Sequence, residues 1–100
     1  MALLERYKND IIRLCENYRV RKLYAFGSVL SSRFSQESDV DLIVEFKTRD
    51  LEGYADNYFD FKSSLEAVFQ RSVDLLEEKA IKNPFFKEAV FEQRQLIYGN

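Results

Sequence analysis

The chain opens with apolar residues at steps of three and four: Leu4, Tyr7, Ile11, Leu14 and Tyr18, with Arg6, Asn9, Arg13 and Glu16 between them. That spacing predicts an amphipathic helix from Ala2 to about Tyr18. Cys15 flanks the stripe and reads as a small core residue, since a reactive thiol needs a positive neighbourhood. The period then changes. VRKLYAF, from Val20 to Phe26, is rich in β-branched and aromatic residues and stops at Gly27-Ser28, which predicts a strand and a sharp turn. Residues 28–34 fit a short helix and Ser35 to Ser38 a loop.

DVDLIVEF, from Asp39 to Phe46, is the clearest strand. Val40, Leu42, Val44 and Phe46 share one face, and Asp39, Asp41, Ile43 and Glu45 the other. After a polar turn, Tyr58, Phe61, Leu65, Val68 and Phe69 mark a helix over about Tyr54 to Gln70. SVDLLE, from Ser72 to Glu77, predicts a third strand with Val73 and Leu75 opposite Asp74 and Leu76. Pro84 suits the first turn of a helix running through FFKEAVFEQ, and Arg94 to Tyr98 a last short strand. Phe85, Phe86 and Phe91 lie at helical spacing and read as core, or as an interface if exposed. Tyr54, Tyr58 and Phe59 read as helix-face packing. Alternating helices and strands favour an α/β class, a sheet covered by helices, and leave the sheet order open. One hundred residues without an internal repeat fit a single domain, residues 1–100.

Composition narrows the chemistry. Apolar residues make up 46% of the chain, enough for a packed core, and three Gly and one Pro leave little for linkers. A net charge of −2, with both signs scattered, provides no basic footprint for duplex nucleic acid. No apolar run is long enough for a membrane span or a signal peptide, so cytoplasmic residence is expected. A single cysteine excludes an intrachain disulfide. The absence of histidine removes Ser-His-Asp triads, Cys-His dyads and His-ligated zinc. Carboxylates, hydroxyls, Lys and Arg remain, together with a hard metal.

Those groups fall in one pattern: Gly27-Ser28, ten residues, then Asp39-Val40-Asp41. Residues two apart on a strand project from the same face, so Asp39 and Asp41 point together. Paired carboxylates repel unless a cation intervenes, and Mg²⁺ takes oxygen ligands from one or two carboxylates plus substrate phosphates. Asp74 repeats the arrangement on another strand. If the two strands are neighbours, three carboxylates converge, enough for two ions roughly 3.5–4 Å apart. Gly27 lets a turn approach a phosphate closely, and amides of a following helix favour its oxygens. A lone Asp-x-Asp opening a strand is ordinarily solvated charge; the ordered combination indicates a metal–phosphate site.

AFGSVLSSRFSQESDVDLIVEF resembles the signature of the DNA polymerase beta-type nucleotidyltransferase superfamily: Gly-Ser, ten residues, Asp-x-Asp. SVDLLEE resembles that family's third-carboxylate strand, and NPFFKEAVFEQRQLIYG the carboxy-terminal segment of its smallest members. The likeness runs from about Leu23 to Gly99. It implies a mixed sheet flanked by helices, with Asp39 and Asp41 as Mg²⁺ ligands. Asp74 is then the third carboxylate, ligating metal and drawing the proton from an attacking hydroxyl. Gly27 and Ser28 contact the triphosphate. The implied reaction moves AMP from ATP to a hydroxyl, with pyrophosphate leaving.

Larger members carry acceptor-binding domains for which this chain has no residues to spare. It is similar in this to the stand-alone minimal nucleotidyltransferases. These resemble antitoxins of prokaryotic two-gene systems whose partner is a HEPN-domain toxin, AMP being added to a toxin tyrosine in a homo- or hetero-oligomer. Small members commonly carry Arg-Gly shortly after Gly-Ser; here those positions are Ser31 and Ser32, and Arg33 beside them is the candidate to supply the charge. That departure motivates an alternative, a weak or inactive antitoxin that neutralises its toxin by docking. A third reading is a transferase acting on a small molecule in a homodimer.

Overall fold

The alternating segment forms a strand, β2 (Val40–Phe46), and Val40 and Leu42 on its apolar face are wholly enclosed. The computed structural model describes residues 2–30, 38–47 and 52–99, leaving the side chains of Ala2 and Ser28 outside that description. Within it, β2 is flanked by β1 (Val20–Phe26), antiparallel, and β3 (Val73–Glu77), parallel. A short strand, β4 (Gln95–Tyr98), pairs antiparallel with the other side of β1. Among the described residues the sheet has four strands in the order β3-β2-β1-β4. It is mixed, as the resemblance implied.

Helices cover both faces. On one, α2 (Lys8–Asn17) and α3 (Tyr54–Phe69) bury Ile11, Leu14, Phe61 and Leu65 against Leu23, Ala25, Leu42 and Val44. On the other, α4 (Pro84–Gln93) packs Val90 against Tyr24, Ile43 and Ile81. Leu42 and Ile43 belong to different clusters because successive strand residues point to opposite faces.

Local chemistry sets the helix ends. Asn83 caps α4, its Oδ1 accepting from the amides of Phe85 at 3.0 Å and Phe86 at 3.2 Å. At the far end the Arg94 guanidinium lies 3.9 Å from the Tyr24 ring and 4.0 Å from that of Phe91, and pairs with Glu78 at 3.0 Å. Gln70 ends α3 in the left-handed conformation (φ 56°), so the chain turns at once into β3.

Two expectations change. The first helix is interrupted at Tyr7 into α1 (Ala2–Arg6) and α2. Tyr7 leaves helical backbone values (φ −106°, ψ 19°) and its ring meets Phe69 edge-on at 5.9 Å, a tertiary contact that overrides local propensity. Phe85 and Phe86 are not core: they are 83% and 42% exposed, and Val90 is the buried residue of α4. Val90 is the residue of α4 buried against the sheet, while Phe85 and Phe86 at the helix start keep much of their surface in solvent. Among the described residues no helix is long and apolar enough to cross a membrane.

Cys15 is fully enclosed on the inner face of α2, and that burial, followed by the charge of Glu16, pushes its thiol up to about 12. A raised thiol keeps its proton in the folded chain while the unfolded chain loses it. Stability is therefore intact below about pH 9 and falls by about 1.4 kcal/mol per pH unit above it, until the folded thiol also ionises. Urea unfolding between pH 8 and 11 will show this fall in the wild type and a shallower one in Cys15→Ala. Native protein at pH 8 will resist alkylation. Equal slopes in the two proteins would contradict it.

Candidate active site

The site is assembled where β1 ends and β2 and β3 begin. Phe26, last in β1, is the register partner of Asp41, and Asp41 is in turn the register partner of Asp74. The two carboxylates thus stand side by side on strands about 4.8 Å apart. Asp41 and Ile43 alternate onto one face, as do Asp74 and Leu76, and Ile43 and Leu76 pack with α4. Both aspartates therefore lie on the α4 side. Asp41 is half-buried, while Asp74 and Asp39 are exposed. Asp39 precedes β2 by one residue and shares its parity with Asp41.

Gly27 follows Phe26 with φ +72° and opens a 3₁₀ turn, Gly27–Leu30, anchored by the buried Val29. A Cβ at Gly27 would stand 2.7 Å from Asp41 Oδ2, so the turn passes directly beside that carboxylate. Both the conformation and the approach require glycine. Ser28 continues the turn, its side chain being outside the described part, and Ser31, Ser32 and Arg33 lie outside the described residues.

The convergence expected of three carboxylates is met pairwise. Asp41 and Asp74 are in register, but among the described residues no three acidic or thiol side chains are gathered into a metal cluster. Mutual repulsion opposes closer approach. The donors are all hard oxygens and the glycine turn leaves room beside Asp41, so the residues suit Mg²⁺ with a phosphate ligand.

One cation was not anticipated. Arg71 donates from Nη1 to the carbonyl of Ser38 at 3.2 Å, tying the approach to β3 to the residue before Asp39. The Val40 amide bonds Ser72 O at 3.1 Å and closes the same junction. Arg71 becomes a neighbour of Ser38 only through the β2–β3 pairing, which leaves no local trace in the sequence. By contrast, Arg21, in β1, pairs with Glu45 at 3.5 Å with both side chains exposed.

The surroundings are open. A cavity of about 440 Å³ lies at the far end of β2 and β3, lined by Arg21, Phe46, Tyr54, Glu77, Lys87 and Phe91 among others, and none of the aspartates borders it. Next to the aspartates the surface is aromatic: Phe86 meets Phe26 edge-on at 6.4 Å, and Phe85 projects beyond it.

A mixed sheet with helices on both faces, a glycine turn after one strand and aspartates on the next two define a nucleotidyltransferase-type fold. Residues 9–100 match the family described as polymerase beta, nucleotidyltransferase, and the chain belongs to that family. It is 33% identical over 85 residues to MJ1379 of Methanocaldococcus jannaschii, named "Putative protein adenylyltransferase MJ1379", covering 85% of this chain and 82% of the relative. A solved "putative minimal nucleotidyltransferase" superposes with a TM-score of 0.72 at 26% identity, over 92% of this chain and 90% of that one. A tri-AMPylated Shewanella oneidensis HEPN toxin in complex with MNT antitoxin matches with a TM-score of 0.65 at 19% identity. That match covers 96% of this chain and 72% of the other, and it bears on the fold alone.

Substituting Gly27 tests the turn. Gly27→Ala will lower stability by about 1–3 kcal/mol in urea unfolding, because a left-handed backbone and the Asp41 carboxylate both oppose the methyl group. Gly53→Ala, whose Cβ would meet nothing within 4 Å at a similar φ of +74°, will cost less. Equal losses would mean that Asp41 does not crowd the turn.

Proposed function

We propose that this chain transfers AMP from ATP to a hydroxyl, a tyrosine in the fullest form of the reading, on a partner protein of the HEPN-toxin class. The observation that carries it is the register of Asp41 and Asp74 beside the Gly27 turn. The relative named as a putative protein adenylyltransferase supports a protein as the acceptor. The site's position on an open surface suits an acceptor carried by another macromolecule.

Asp39, Asp41 and Asp74 would hold Mg²⁺, which supplies charge neutralisation at the transferring phosphate. The backbone at Gly27, with Ser28 and Arg33, binds and orients the triphosphate tail. Asp74, the most exposed side of the pair with Asp41, takes the proton from the acceptor hydroxyl. The hydroxyl oxygen forms a bond to the α-phosphorus as the bond from that phosphorus to the bridging oxygen breaks, and pyrophosphate leaves.

A second reading, neutralisation by docking, draws on the exposed Phe85 and Phe86 next to the site. A transfer assay separates the two, using α-labelled ATP, Mg²⁺ and a candidate HEPN-class protein. Wild type will label the protein. Asp39→Ala/Asp41→Ala will lose more than the ~10–100-fold that removal of an outer-shell partner costs. Undiminished labelling in the double variant would overturn the reading. Neutralisation that survives in that variant and is lost in Phe85→Ser/Phe86→Ser would establish docking instead.

A further inference from the structure

Among the described residues β3 is an edge strand, so half of its peptide groups have no described strand to bond. In a parallel pair, successive residues alternate between bonding the neighbour and facing away. The Val40 amide bonds Ser72 O, which places the backbone of Asp74 toward β2 and turns the groups of Val73 and Leu75 outward. Side chains of α3 meet them there. Glu66 Oε2 accepts from the Val73 amide at 3.0 Å, and the Tyr58 hydroxyl donates to the Leu75 carbonyl. The residue before Asp74 and the residue after it are each held by one side chain of the same helix.

We propose that Tyr58 and Glu66 are positioning residues for Asp74, standing in for the missing outer strand and keeping its carboxylate in register with Asp41. This rests on the reading of Asp74 as the third carboxylate of nucleotide transfer. The Tyr58 phenol is raised from its ordinary range by burial and then by the negative charge of Asp74, in keeping with their closeness. Neither residue touches the reacting atoms, so both act through the strand.

The test uses Tyr58→Phe, which removes only the hydroxyl, with Glu66→Ala and Glu66→Gln, the last retaining a carbonyl oxygen for the Val73 amide. Hydrogen exchange of the Val73 amide will quicken at least ~10-fold in Glu66→Ala and stay near wild type in Glu66→Gln, at nearly unchanged Tm. Tyr58→Phe and Glu66→Ala will lower kcat by about 10–100-fold, the range seen when outer-shell partners are lost. The nucleotide KM will stay within about twofold of wild type, and Glu66→Gln will restore most of kcat. Folded Tyr58→Phe and Glu66→Ala proteins with wild-type kcat, beside an inactive Asp74→Ala, would overturn the positioning role alone. Full activity in Asp74→Ala, or none in the wild type, would overturn the reading beneath it and this inference together.

Discussion

The structure depends on the side-chain alternation of β2 being locked in register on both sides. A slip of one residue would carry Val40, Leu42 and Val44 to the α4 face and Asp41 into the core. The penalty for burying an unpaired carboxylate forbids that arrangement. The hydrophobic effect that packs α2 and α3 beneath the sheet is thus what aims Asp41, and through the parallel ladder Asp74, at the opposite side. Nothing in the site needs to organise itself. It inherits its orientation from the core.

The two faces of the sheet are unequal, and the inequality suits their tasks. One is sealed by α2 and α3, with Phe61 and Leu65 fully enclosed. The other is covered by α4, which commits Val90 and relies on the Arg94 clamp between Tyr24 and Phe91. The carboxylates stand on this lightly covered side, where a charged ligand would displace no packed side chain. Stability is concentrated on one face and access on the other.

Much of this was legible in the sequence because period and punctuation are local. The alternation of DVDLIVEF, the stop at Gly27-Ser28, the repetition at Asp74 and the helix start at Pro84 each announce an element or a direction. Pairing is not local. That β3 lies beside β2 and parallel to it follows from α3 crossing over the sheet, so the opposition of Asp41 and Asp74 was a condition in the sequence and a fact only in the structure. The same holds for Arg71 on Ser38. Phe85 and Phe86 show another limit: spacing identifies residues that share a helix face, not which face finds a partner. Tyr58 read as packing because its ring does pack, and the hydroxyl's acceptor could be located only once β3 proved to be an edge.

The position of β4 carries a consequence for how the chain is made. Its residues pair with Leu23, Tyr24 and Ala25, roughly 70 positions earlier, and among the described residues no other strand takes that side of β1. During synthesis β1 can pair with β2 as soon as both emerge, but its other side stays open until Gln95–Tyr98 arrives. For most of its time on the ribosome the nascent domain presents an unpaired strand edge, a template for pairing with other chains. Prompt emergence of Gln95–Tyr98 therefore limits how long that side of β1 stays open.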